Sequence, residues 1–275
     1  MISMEDVMSE TAEKLEIQEL INKGFSLQEQ GHHADAIHYF GEVIGMEPGH
    51  SVAYFRRGIS HGALGQHELA IKDYTEAIQL SPELFAAYNN RGNAHYRLGR
   101  YELAVRGYSK AIQLNPEFAA AYNNRGNANR ILGRLVAAIR DFDEAIRINP
   151  PDATAFNGRG MTHLVLGHHD LAIEDCSEAI RLNSTLPAAY NNRGNAYGAL
   201  GRHELAIRDY EEAIRLDPND EGACHNLASA LEHIDTHKAL KAWARYLQMG
   251  KGSPLGKGWI KNVLKIKEDL ESRFS

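Results

Sequence analysis

The sequence predicts an all-α chain, a solenoid of stacked helix–turn–helix units, and three regularities predict it. Proline stands at Pro48, Pro82, Pro116, Pro150 and Pro218, always a multiple of 34 residues apart, with Ser184 filling the one gap. Glycine keeps the same beat twice per unit, at Gly24, Gly58, Gly92, Gly126, Gly160 and Gly194 and again at Gly31, Gly65, Gly99, Gly133, Gly167 and Gly201. Between these stops, apolar and small residues recur three and four apart: Tyr88, Gly92 and His95 or Tyr96, then Ala104, Tyr108, Ala111 and Ile112, the spacing of one helix face. A fixed period of this length marks an array in which each unit buries its apolar face on its neighbours.

Taking the proline as position 32 places the units at 17–50, 51–84, 85–118, 119–152, 153–186 and 187–220, with a degenerate seventh at 221–252. Glycine at position 15 closes the first helix, because a left-handed residue there costs glycine nothing sterically. Proline at position 32 cannot continue the second helix and drives the residue before it out of the helical region. Alanine at position 20, from Ala36 to Ala206, lets paired helices approach, while Tyr54, Tyr88, Tyr122, Phe156 and Tyr190 at position 4 fill the space between. In the seventh unit Cys224 and Ala228 replace the aromatic and the glycine, and Trp243 and Tyr246 are its expected packing residues. Residues 1–16 form an N-terminal extension, weakly amphipathic through Met4, Val7, Met8 and Leu15, either a frayed helix or disordered. Residues 253–275 read as a capping helix with Trp259, Ile260, Val263, Leu264, Leu270 and Phe274 on one stripe.

Thirty basic against 36 acidic residues leave a formal net charge of −6, which argues against a nucleic-acid partner. No run of about 18 apolar residues is present to span a bilayer, and the acidic start lacks the pattern of a secretory signal. A cytoplasmic protein that neither binds nucleic acid nor enters membranes is expected. Cys176 and Cys224 fall at core positions and read as buried thiols.

The sixth unit presents Tyr190, Gly194, Tyr197, Ala206, Tyr210, Ala213 and Pro218 at the spacing of the tetratricopeptide repeat, and the chain resembles that family closely over 17–220 and more weakly to about residue 250. The resemblance implies a right-handed superhelical solenoid whose concave wall is lined by the first helix of each unit.

At about 100° per residue, positions 4, 8 and 11 of that first helix face the second. Positions 2, 6, 9 and 13 lie opposite, flanked by 5 and 12. The outward set is rich in asparagine: Asn89, Asn123, Asn157 and Asn191 at position 5; Asn90, Asn124 and Asn192 at position 6; Asn93, Asn127 and Asn195 at position 9, with Tyr96 and Arg130 at the flanking position 12. Asparagine is a mediocre helix former, and its amide offers two donors and an acceptor, the complement of a peptide backbone. The leading expectation is an adaptor that grips an extended segment of a partner protein through this amide ladder, as in the similar superhelix of O-linked sugar transferases. The competing one is that some amides bond between neighbouring repeats, position 5 above all. The two-carboxylate clamp of chaperone-binding relatives is not expected: Asn93 and Asn124 fit it, but Asn89, Thr154 and Gly158 stand where it needs cations.

Towards the N-terminus the same wall turns apolar, with Ile21, Phe25, Phe55 and Ile59. Such a patch usually marks an interface. Residues Met4 to Leu15, a partner's apolar anchor and a second copy of the chain remain equal occupants, the last giving an alternative function as a self-assembling scaffold. Arginine at position 7 (Arg57, Arg91, Arg125, Arg159, Arg193) accompanies aspartate at position 23 (Asp73, Asp141, Asp175, Asp209), with Gly107 as the exception, which suggests an ion pair tying the two helices. The pairs His32–His33 and His168–His169 sit in turns without the third and fourth convergent ligands a metal needs. No phosphate loop, nucleophile elbow or HExxH helix appears, so no metal, cofactor or enzymatic activity is expected.

Overall fold

The computed structural model of the chain describes residues 4–250 together with residues 265, 268 and 272. Within them lie fourteen helices and no strand: α1 (Met4–Glu29), α2 (His33–Met46), α3 (Ser51–Ala63), α4 (His67–Leu80), α5 (Phe85–Arg97), α6 (Tyr101–Leu114), α7 (Ala119–Ile131), α8 (Leu135–Ile148), α9 (Ala153–Val165), α10 (His169–Leu182), α11 (Pro187–Ala199), α12 (His203–Leu216), α13 (Glu221–Leu231) and α14 (Thr236–Gly250). The Trp259–Phe274 stripe and the side chains of Met4, Val7 and Met8 lie outside the described residues.

The stops work as the backbone chemistry requires. All six position 15 glycines have φ between 71° and 81°, and each first helix ends in the paired bonds of a left-handed cap. Arg100 N–H, for example, donates to His95 O at 2.9 Å and Gly99 N–H to Tyr96 O at 3.0 Å. The second helices end on extended residues, from Glu47 (φ −128°, ψ 86°) to Asp217 (φ −131°, ψ 94°). Asn183 takes the same geometry (φ −141°, ψ 93°) before Ser184, so the bend survives without proline.

The chain divides at Ala137–Ala138, within α8, into two compact units. In the first, α1 packs on α2, α3 on α4 and α5 on α6, each pair joins the next through α2–α3, α4–α5 and α6–α7, and the odd helices touch in order from α1 to α7. In the second, α9 packs on α10, α11 on α12 and α13 on α14, with α9, α11 and α13 again in contact. The odd helices therefore form one continuous face in each unit. Helix α1 is longer than its counterparts and starts thirteen residues ahead of Ile17. Apart from Gly24 it contains no residue that breaks a helix, and its Glu, Lys, Leu and Ala content favours one.

Close approach of paired helices depends on the position 8 glycines. A Cβ on Gly92 would stand 2.7 Å from Tyr108 Cε1, and one on Gly58 2.7 Å from Tyr74 Cε1. Ala36, Ala70, Ala104, Ala138, Ala172 and Ala206 are wholly buried. In the last pair Trp243 and Tyr246 are buried with Cys224 and Ala228, and Trp243 Nε1 donates to Glu232 Oε1 at 2.7 Å. Both cysteines are free and buried, and burial pushes the Cys176 thiol up to about 12.

Three of the position 7 arginines tie the two helices of their repeat together. Arg57 grips Asp73 through Nε (2.9 Å) and Nη2 (2.7 Å), Arg159 grips Asp175 (3.0 and 2.6 Å), and Arg193 grips Asp209 (2.8 and 2.7 Å). Nη1 reaches back to position 25 of the preceding repeat: Arg91 to Thr75, Arg125 to Ser109, Arg159 to Asp143 and Arg193 to Ser177. Each guanidinium also lies over the position 4 ring of its own repeat, at 5.5 Å for Arg57 on Tyr54 and 5.8 Å for Arg193 on Tyr190. In Arg159 and Arg193 one side chain thus joins both helices of its repeat to the repeat before.

Candidate functional site

The asparagines are carried by α5, α7, α9 and α11, and their amides do two different things. Those at positions 5 and 6 bond to each other across repeats. Asn124 Nδ2 donates to Asn89 Oδ1 (3.1 Å) in the first unit, and in the second Asn192 Nδ2 donates to Asn157 Oδ1 (2.9 Å) and Asn226 Nδ2 to Asn191 Oδ1 (3.1 Å). Asn89 and Asn192 are buried, and Asn89 Nδ2 donates to Asn90 Oδ1 at 3.2 Å. These rungs knit neighbouring helices, so Asn89, Asn157 and Asn191 have their carbonyls already committed. Asn123 is likewise engaged.

Position 9 behaves differently in the first unit, whereas in the second Asn195 Oδ1 also accepts from Asn226 Nδ2 across repeats at 2.9 Å. Tyr108 OH donates to Asn93 Oδ1 and Tyr210 OH to Asn195 Oδ1, both at 2.9 Å, and Asn127 Nδ2 donates to Asn123 O at 3.1 Å. That leaves Asn93 Nδ2 and Asn127 Oδ1 without a partner among the described residues, and neither atom is enclosed. Both residues line a cleft of about 290 Å³ with Tyr96, Arg97, Tyr108 and Asn124. Tyr96 stacks edge-on against Tyr101 at 5.2 Å. Arg130 is half-buried near Tyr96, where burial lowers its pKa, and its enclosed Nε has no acceptor.

The cleft recurs. A second in the first unit, about 320 Å³, is lined by Ile59, His67, Tyr74, Asn90, Asn93 and Arg97 among others. In the second unit one of about 220 Å³ is lined by Asn195, His203, Tyr210, Asn226 and His233, its two histidine rings stacked at 4.3 Å. Each has a tyrosine from position 24 in its wall. Burial raises the pKa of Tyr74, Tyr108 and Tyr210, which keeps these hydroxyls protonated as donors. Where position 24 is Phe142 the donor is lost, and Phe142 Cε1 lies 2.5 Å from where a Cβ on Gly158 would stand.

Sequence reasoning missed the position 24 tyrosines as cleft residues, because the pattern marks them as core aromatics, and they are both. It also missed Asn226, which counting 34 on from Asn192 would have found in the irregular seventh unit. The apolar wall needs correction. Ile21 is buried with Val43 and Ala53 and belongs to the core rather than to a docking surface. Phe25 is partly covered, 5.7 Å from the Phe40 ring and beneath the Arg56 guanidinium at 4.5 Å, while Phe55 and Ile59 pack against Ala70, Tyr74 and Ala94. Residues 4–15 continue the axis of α1 and do not fold back onto these side chains.

Among the described residues no cluster of three or more His, Cys, Asp or Glu is placed to hold a metal ion, and no helix is long and apolar enough to cross a membrane.

Comparison with known proteins agrees with this architecture. Residues 119–152 and 187–220 match the tetratricopeptide repeat model, and 62–99 and 92–130 match a second model described as TPR repeat. A tetratricopeptide repeat protein from Parabacteroides merdae superposes with a TM-score of 0.72 at 21% identity, covering 92% of this chain and 99% of that one. The Cut9-Hcn1 hetero-tetramer of the APC/C gives 0.74 at 18% identity over 88% of this chain, which spans about half (48%) of the chain it matches. YrrB, a TPR protein with an unusual peptide-binding site, gives 0.55 at 22% identity, covering 68% and 96%. No curated protein matches the sequence. The fold is thus that of helical repeat proteins, and the chain contains tetratricopeptide repeats within 62–152 and 187–220.

Proposed function

We propose that this chain is a non-enzymatic interaction scaffold that holds an extended segment of a partner protein along the asparagine-lined faces of its odd-numbered helices. The supporting observation is the division of labour among the amides. Positions 5 and 6 make the scaffold, while position 9 presents an unpaired donor on Asn93 and an unpaired acceptor on Asn127 in a single open cleft. An extended backbone offers one acceptor and one donor per residue, so it can satisfy both. The peptide-binding site that gives YrrB its description supports the same use of this fold.

The same division selects the variants for the test. Asn93→Ala with Asn127→Ala removes the free groups. Asn192→Ala breaks a rung instead. Partners captured from native lysate by the full chain are identified by mass spectrometry, and the affinity of the partner found is measured for each variant. The first variant should lose at least about tenfold in affinity while staying folded, at a cost of about 1 kcal/mol in stability for the Tyr108 hydrogen bond it also removes, and the second should lose stability with its affinity kept. An unchanged affinity for the first variant would overturn the reading.

A further inference from the structure

In repeats two and five, arginine at position 7 and histidine at position 11 converge on one aspartate. Asp73 takes the Arg57 fork and lies 3.8 Å from His61 Nε2, and Asp175 takes the Arg159 fork and lies 3.9 Å from His163 Nε2. Repeat three has the same arginine and the same histidine, Arg91 and His95, but Gly107 at position 23. Arg91 keeps the other contacts of its class, with Nη1 on Thr75 Oγ1 at 3.1 Å and the guanidinium 5.6 Å over Tyr88. Its Nε and Nη2 have no acceptor among the described residues, and neither atom is enclosed.

The surroundings are positive. Burial, then Arg91 and Arg100, hold His95 below its ordinary value, with Arg106 adding to them and Glu68 opposing. Glu68 is already gripped by both terminal nitrogens of Arg100, at 2.5 and 3.1 Å. Nor is there room for the chain to supply the missing carboxylate from position 23, since a Cβ on Gly107 would stand 2.9 Å from Tyr88 O and 3.2 Å from Gly92 Cα. A fork that holds a carboxylate bidentately in its sister repeats is thus assembled, open and unfilled.

We infer that Arg91 and His95 form a receptor for a carboxylate from outside the chain, the side chain of an aspartate or glutamate on a protein partner, which occupies the place that Asp73 and Asp175 fill in their own repeats. The site is separate from the asparagine clefts and stands or falls independently of them. It is also not the two-carboxylate clamp, whose cations occupy positions 2, 5 and 6.

The test uses the full wild-type chain and nuclear magnetic resonance of its histidine rings and arginine Nε–H groups. Arg91→Lys and His95→Gln serve only to assign the signals. The probes are sodium acetate and a glutamate blocked at both ends, each compared with sodium chloride at equal ionic strength. Both probes should shift the Arg91 and His95 signals saturably and raise the His95 pKa, while Arg57, His61, Arg159 and His163, whose carboxylate is built in, stay still. Equal or absent shifts at all three sites would overturn the site. Binding of acetate without the blocked glutamate would overturn the assignment to a partner's side chain.

Discussion

Replacing Gly92 by alanine isolates the contact on which the stacking depends. The added Cβ would stand 2.7 Å from Tyr108 Cε1, 2.9 Å from Cδ1 and 3.3 Å from Ala104 O, against an ordinary carbon–carbon separation of about 3.5–4.0 Å. Tyr108 is 1% exposed and its hydroxyl is tied to Asn93, so the ring cannot yield without giving up that bond. Overpacking of this kind costs about 1–3 kcal/mol and loss of the hydrogen bond about 1 kcal/mol more. Alanine recovers about 1 kcal/mol through helix propensity, leaving a net loss of about 1–3 kcal/mol. Urea denaturation followed by circular dichroism, with hydrogen exchange of α5 and α6 as the local probe, measures it. Gly41→Ala is the control: its Cβ would meet only Arg57 Nη1 at 3.8 Å, and up to about 1 kcal/mol of stabilisation is expected from propensity alone. If Gly92→Ala is as stable as wild type, helix–helix approach is not what that glycine provides.

Asp209→Ala strands the Arg193 guanidinium, whose partner is only 8% exposed at its side chain. The cost lies between that of a surface pair and that of a buried one, about 2 kcal/mol, and is read by the same denaturation. Tyr210→Phe removes one donor to Asn195 and should cost about 1 kcal/mol while the fold, by circular dichroism, stays intact. His95 and His163 are held below the ordinary value of 6.5, chiefly by burial. The unfolded chain therefore takes up their protons first: their contribution is fully present above that value and is lost as pH falls through 6.5 towards the folded pKa. The thermal midpoint should drop between about pH 7.5 and 5.5, and less so in a His95→Gln, His163→Gln variant. An equal drop in both proteins would assign the effect to other groups.

The periodic stops were fully legible in the sequence, because a positive φ at Gly65 or an extended residue before Pro82 is a local requirement that one residue type meets best. Ser184 shows the limit of that logic, since the chain bends there without proline, with Thr185 N–H donating to Asn183 Oδ1 at 3.0 Å. The odd-helix faces were legible as a set of positions. The fate of each amide was not, because a rung such as Asn89–Asn124 depends on which carbonyl comes within 3 Å of which neighbour 35 residues away. Ile21 misled for a related reason: it stands at position 5, where Asn89 is buried as well, and it packs with Val43 of α2 and Ala53 of α3. The length of α1 was hidden because no helix-start signal distinguishes Met4 from Ile17.

Each rung joins a position 6 amide to the position 5 amide one repeat before it, whereas the clefts beside the rungs differ. A ligand that touched only the rungs would find the same chemistry one repeat along and could slip between equivalent placements. Tyr96 and Arg97 in one cleft, His203 and His233 in another, and the bare Gly158 with Phe142 behind it remove that degeneracy. For a partner segment held as proposed, repeated rungs with unlike cavities would separate the task of staying bound from the task of being bound in one position.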